Sequence, residues 1–336
     1  MKLQTPFDFP SLKRMDVFSP FYVALAVGIL LLIGVLISCN KAKPNLQQQL
    51  PPAGVTHDIL PRTVPDTLFT FTVAHDVKIK DYFKYVDSLT HAFDTLLPYK
   101  LTEYLLVRSN PFIMDTLENT DYYRMKMRDT FVYDQKQLLV LKRGDRLKIP
   151  TQAVVDTFNA KIGRTRLDIN IPEFKLRVIE GADTIYTFPV RVGQNRTRFL
   201  SEVGRETDLR TRVGNGYILN VYKKDYSTDP VKGKKFTTTN RDDERQTLMP
   251  LLPWLETKIN GQRFGQLIHP TTNPASLWRA YSNGCMGVRE ADIWRIYYYA
   301  PVGTKVNIRY NLMVREENGD TLQLKDIYNP KRMIFQ

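Results

Sequence analysis

Two residues in this 336-residue chain have the types and spacing for nucleophilic chemistry. Cys285 stands in Tyr281-Ser282-Asn283-Gly284-Cys285-Met286-Gly287, a glycine-flanked turn, and His269 precedes it by sixteen positions, after Gln266-Leu267-Ile268 and before Pro270. An ordinary thiol, with a pKa near ~8.5, is mostly protonated at neutral pH, and a neighbouring imidazole or helix N-terminus draws it towards the nucleophilic thiolate. Gly284 removes a side chain beside the sulfur, so the backbone amides of Gly284, Cys285 and Met286 are candidates for an oxyanion hole, where one donor is worth ~3 kcal/mol of barrier. Ser282 is a candidate for orienting the turn or holding a substrate backbone, and Asn283 and Arg289 for positioning the loop or a substrate carboxylate. The competing reading is a small buried cysteine and a satisfied core histidine, which one Cys and one His in a domain fit equally well.

The elements that must position this pair are mostly strands. From Thr165 apolar residues alternate: Leu167, Ile169 and Ile171, then Phe174, Leu176 and Val178, then a turn at Gly181 and a run from Thr184 to Val192. Tyr217–Val221, Gly265–His269 and Lys305–Tyr310 continue the series, so residues 162–311 read as a mainly β domain. One helix interrupts it after Cys285, over Glu290–Ala300, with Ile293, Ile296 and Tyr297 on one face. Residues 312–336 form a tail in which Glu317-Asn318-Gly319-Asp320 turns a final hairpin.

Residues 68–161 read as an α+β accessory region. Ile79, Tyr82, Phe83, Val86, Leu89, Phe93 and Leu96 recur at three- and four-residue steps, predicting an amphipathic helix over Lys78–Leu97 that Pro98 stops. Gln137–Leu141 and Arg146–Ile149 flank Arg143-Gly144-Asp145 as a plausible hairpin, and Thr151 caps a short helix through Ala160. Gly144-Asp145-Arg146-Leu147 resembles the start of a LysM wall-binding motif; the alternative is a supporting region with no ligand of its own.

The N-terminus predicts export. Val17–Asn40 lacks charge, Phe21–Ile37 is almost unbroken apolar sequence, and Lys13 and Arg14 precede it, which favours a cytoplasmic start. Leu36-Ile37-Ser38-Cys39 resembles a lipobox, so residues 1–39 are expected to be a lipoprotein signal with Cys39 as the lipidated residue, or an uncleaved signal-anchor helix. Either way the remainder works on the periplasmic face of the cell envelope, membrane-anchored, with residues 40–67, rich in Gln and Pro, as an extracytoplasmic linker. The net charge of +13 is scattered without a dense basic block. With no zinc-ligand spacing or RNA-binding aromatic signature, nucleic acid is not expected as a partner. Neither a metal nor an organic cofactor is expected, and Cys39 and Cys285 lie in segments unsuited to pairing.

His269, with Ser282-Asn283-Gly284-Cys285 behind it, resembles the signature of the YkuD-type L,D-transpeptidases: a strand ending in His-Gly, then Ser-His-Gly-Cys and a nearby Arg. Leu167–Gly193, Thr211-Arg212-Val213-Gly214, Met249-Pro250 and Val302–Tyr310 are also similar to that family. There are departures: Asn283 for the second histidine, Pro270 for the glycine, and an arginine four residues after the cysteine rather than two. The resemblance implies a YkuD-like β-sandwich with a short helix after the nucleophile, preceded by the α+β region and the membrane anchor. It also implies peptidoglycan stem peptides as partners and a role in cell-wall biogenesis and cell shape. Cys285, activated by His269, would attack the carbonyl before a terminal D-alanine, release it, and pass the thioester to an amine. With water as acceptor the enzyme would be an L,D-carboxypeptidase, and Asn283 motivates a further alternative, a catalytically decayed wall-binding lipoprotein. Trp254 and Trp278 are candidates for the substrate groove or for core.

Overall fold

The computed structural model describes residues 69–329 apart from 202–203 and 316–318. The expected anchor, Cys39 and the linker to residue 67 lie outside the described residues, and none of the described helices is long and apolar enough to cross a membrane. The described residues all belong to one compact unit.

Eight strands make one mixed sheet, in the order Met286–Val288, Leu267–Pro270, Leu252–Ile259, Gly214–Lys224, Lys305–Arg309, Thr165–Asn170, Lys175–Glu180 and Asp183–Pro189. Period-2 alternation produces it: Leu167, Ile169, Leu176, Val178, Val306 and Ile308 all fall on the buried face. Most neighbours are antiparallel, but Lys305–Arg309 runs parallel to Thr165–Asn170, and Met286–Val288 parallel to Leu267–Pro270. A parallel neighbour needs a crossover, and the long stretch between His269 and Cys285 supplies one.

The expected sandwich of two stacked sheets is not what forms. Beyond Pro189 the chain reaches the opposite edge, where Arg191 and Gly287 exchange both backbone hydrogen bonds, 2.9 and 3.0 Å, in an antiparallel bridge. The sheet is therefore curled and nearly closed, with right-handed strand twist bringing its two edges together.

The accessory region shares the same core. Val73, Tyr82, Leu106, Ile113 and Leu117 belong to one buried cluster with Leu167, Leu255, Ile268, Met286 and Trp294. At ~1.5–3 kcal/mol for each large apolar side chain buried, separating the two would cost many such terms. The first helix spans Ile79–Ala92, burying Ile79, Tyr82, Val86 and Leu89. It stops short of the expected Leu97: Phe93, Asp94 and Leu96 continue as turns with i→i+3 bonds, because Pro98 bars its predecessor from helical backbone. Leu139–Leu141 and Arg146–Ile149 do flank the Gly144 turn but do not pair as a hairpin; the first pairs with Val77–Lys78 and the second with Phe69–Thr72. Thr151 accepts from the Val154 amide at the start of the Gln152–Gly163 helix. The tail hairpin pairs Met313–Arg315 with Thr321–Gln323.

Candidate active site

Strand register brings the two candidate residues together. In the parallel pair His269 lies beside Gly287 and Ile268 beside Met286, and both Ile268 and Met286 are buried in the core. Side chains alternate along a strand, so His269, Gly287 and the residue two before it, Cys285, share the opposite face. The Leu267 amide donates to the Cys285 sulfur at 3.5 Å, one step along the same ladder.

His269 is buried, and its Nδ1 lies 2.9 Å from the Pro270 carbonyl oxygen. A carbonyl only accepts, so Nδ1 carries the proton and Nε2 is left as the basic nitrogen. Trp254 stacks on the imidazole at 4.5 Å between ring centroids. Burial first, and the Arg191 charge second, hold the imidazole pKa down to about 3, with Lys224 adding to this and the Pro270 bond opposing it. The resting imidazole is neutral at pH 7.

The turn before the thiol is closed by Ser282, whose hydroxyl donates to the Cys285 carbonyl at 2.6 Å and accepts from the Gly284 amide at 3.2 Å. The Gly284 amide is thus engaged in the turn rather than turned to a substrate oxygen. Gly284 has φ +108°, a left-handed backbone that disfavours any side chain, and a Cβ there would stand 2.9 Å from the Gln266 side chain. Thr211 fastens the turn from outside: its hydroxyl donates to the Gly284 carbonyl and accepts from the Gly193 amide, each at 2.9 Å. Asn283 accepts from Gln194 at 3.1 Å. Met286 is buried on the core face.

Two expectations about charge change. The helix spans Glu290–Tyr299, close to the expected Glu290–Ala300; the strand Met286–Val288 separates it from Cys285, and its Ala291 amide is capped by Asp121 of the accessory region at 2.9 Å. Its dipole is therefore spent on Asp121 rather than on the thiol. Arg289 pairs with Asp292 at 3.2 Å, at the start of that helix. The guanidinium nearer the site belongs to Arg191, which sequence reasoning missed. The position two past the cysteine, where the resemblance calls for arginine, is Gly287, and a Cβ there would fall 2.4 Å from Arg191 Nε. Arg191 Nη1 donates to Ser276 at 3.1 Å, while its buried Nε has no partner among the described residues.

A cavity of about 590 Å³ opens beside this pair, lined by His269, Arg191, Trp254, Met249, Thr238 and Asn240 among others. Cys285 is not among the residues that line it, whereas its partner His269 is. One side is built by two small hairpins, Ser227–Thr228 with Lys235–Phe236 and Thr238–Asn240 with Gln246–Leu248. Trp278, at 52% exposure, lies outside both core and cavity wall. Among the described residues no group of His, Cys, Asp or Glu is arranged to hold a metal ion.

Residues 164–308 match the family model of the L,D-transpeptidase catalytic domain (YkuD). This stretch is an L,D-transpeptidase catalytic domain. Similar solved structures include an L,D-transpeptidase from Mycobacterium smegmatis, at 15% identity and TM-score 0.30, covering 44% of this chain and 58% of that one. Another, from Xylanimonas cellulosilytica, has 12% identity and TM-score 0.32, covering 71% of this chain and 97% of that one. The L,D-transpeptidase from Mycobacterium tuberculosis H37Rv has 14% identity and TM-score 0.28, covering 44% and 57%. The chain thus spans 58% of the length of the Mycobacterium smegmatis relative. No curated protein matches the chain significantly. The family match begins at residue 164, after the accessory region that caps the Glu290–Tyr299 helix.

A buried polar knot ties these parts. Arg241, from the hairpin over the cavity, bonds Glu290 Oε1 and, at 2.7 Å, Gln135 Oε1; Gln135 returns a 2.8 Å bond to Glu290 Oε2. The Tyr122 amide also donates to Glu290, and Tyr123 donates to the Thr272 carbonyl at 3.0 Å on the cavity rim. The accessory region, the cavity hairpin and the L,D-transpeptidase helix are held as one piece.

Proposed function

We propose that the protein is a peptidoglycan L,D-transpeptidase working through a Cys285 thioester. The observation that carries this is the pairing of His269 with Gly287, which sets imidazole and thiol on one face of adjacent strands with His269 Nε2 as the unprotonated nitrogen. In the proposed cycle the thiol proton passes to Nε2 as sulfur adds to the carbonyl carbon before a terminal D-alanine. The C–N bond breaks, the proton leaves on the D-alanine amine, and an acceptor amine then displaces sulfur to give the cross-link, its own proton passing through Nε2 back to the sulfur. The oxyanion falls to the Cys285 and Met286 amides, the Gly284 amide being held by Ser282. The cavity, polar on its Thr238 and Asn240 side and apolar at Trp254 and Met249, suits a stem peptide. The work is proposed to take place at the periplasmic face of the envelope, with residues 1–39 as the anchor, through Cys39 or a helix.

The test is intact-mass analysis of the purified full-length protein after incubation with a carbapenem and, separately, with a tetrapeptide-bearing muropeptide, beside Cys285→Ala. A covalent adduct on the parent alone, released D-alanine and a dimeric muropeptide are the expected results. Trimmed tripeptide without dimer would make the enzyme an L,D-carboxypeptidase. No adduct and no turnover in folded protein would leave a wall-binding scaffold.

A further inference from the structure

We propose that Arg191 is a positioning cation that stabilises the Cys285 thiolate across the side-chain-free position Gly287. This rests on the reading of Cys285 as the nucleophile. The geometry is specific. Arg191 and Gly287 are joined by two backbone hydrogen bonds, and the Arg191 stem covers Gly287 so closely that Nε, Cγ and Cδ would lie 2.4, 2.8 and 3.0 Å from a Cβ there. Gly287 lies beside His269 on the next strand and two residues after Cys285 on its own. The Arg191 side chain therefore runs along the face from which both thiol and imidazole project.

A buried guanidinium without a full set of acceptors calls for a negative partner. Nε has none among the described residues, and Ser276, a neutral hydroxyl, receives only Nη1. Burial pulls the Arg191 pKa down, and the groups that oppose this are Cys285 first, then Tyr281 and Asp242. Asp242 also accepts from the Ala275 amide at 2.7 Å, which leaves Cys285 as the group that acquires charge in the reaction. On the other side, Arg191 and Lys224 both oppose a charge on His269. Arg191 thus favours negative sulfur and disfavours positive imidazole. An uncharged imidazole alone would not neutralise the thiolate; Arg191 does so without taking up a proton.

The role has a signature that a merely structural arginine lacks: its removal raises two pKa values together. The rate of Cys285 alkylation by iodoacetamide is measured against pH in the full-length protein, with the imidazole titration followed by NMR, for the parent, Arg191→Gln and Arg191→Lys. In Arg191→Gln the alkylation midpoint is expected to rise by about one pH unit, a roughly tenfold slowing at pH 7, and the His269 midpoint to rise as well. Arg191→Lys should keep most of the parent behaviour. Gly287→Ala, which pushes the stem aside while leaving the arginine in the chain, should move both midpoints the same way if Arg191→Gln folds poorly. An unchanged alkylation midpoint in folded Arg191→Gln or Gly287→Ala would overturn the inference and leave the nucleophile reading intact. A parent thiol with an ordinary midpoint near ~8.5 would overturn both.

Discussion

Trp254 lies flat against His269, with ring centroids 4.5 Å apart and planes within 8° of parallel. The indole shields one face of the imidazole from water, and Lys224 Nζ lies over the indole, 5.2 Å from the ring centre. Burial is the largest reason that the His269 pKa is held near 3, so this stack sets the resting state of the site as well as filling space.

Trp254→Ala is accordingly expected to do two things. Loss of a buried aromatic costs ~3–5 kcal/mol in urea unfolding, and water reaching the opened face moves the His269 midpoint up towards 6.5, its ordinary value. An NMR titration of the imidazole reads the second effect. A midpoint that stays put would mean that the stack is not what dehydrates the ring.

Stability should depend on pH through the same histidine. Its pKa falls from 6.5 in the unfolded chain to about 3 in the fold, so on acidification the unfolded chain binds the proton first. The contribution is whole above about pH 6.5 and is lost progressively as pH falls towards 3, by an amount on the order of 3–5 kcal/mol. In His269→Gln that part of the acid slope should vanish. Chemical unfolding of both proteins at about pH 7.5, above the window, and at about pH 4.5, inside it, compares them.

Arg241 and Glu290 are fully buried and joined to Gln135. Removing one charge strands the other in a dry interior, so Arg241→Met or Glu290→Gln alone should cost ~3–5 kcal/mol, and the double variant markedly less than the sum. Burial pushes the Glu290 carboxyl above its usual range, against the pull of Arg241, so the Arg241→Met penalty should shrink in acid. Full additivity of the two single changes in a double-mutant cycle would count against direct coupling.

The parts of this architecture legible in the sequence were those carried by local pattern. Alternation at Leu167–Val178 and Lys305–Arg309 gives strands because side-chain period and burial coincide there. The Glu290–Tyr299 helix and the Thr151 cap are equally local. Pairing was not local. Nothing in Leu139–Leu141 and Arg146–Ile149 says that each has a different partner upstream, nor does Arg191 announce that its side chain will occupy the space above Gly287. The cavity hairpins at 227–248 were also silent, since short, half-exposed polar strands carry no hydrophobic period. His269 and Cys285 stood out because each carries reactive chemistry in a distinctive local setting.

The clamp formed by Asp121, Gln135, Arg241 and Glu290 draws the outer limit of the working piece. The family match starts at residue 164, yet Asp121 caps the helix behind the thiol and Gln135 completes the buried charge pair. A graft of residues 164–308 into another scaffold would carry Cys285 and His269 without Asp121 and Gln135, and leave Glu290 and Arg241 facing an interface with no counterpart. The segment that can be inherited or transplanted intact therefore reaches upstream of the point at which its ancestry becomes recognisable.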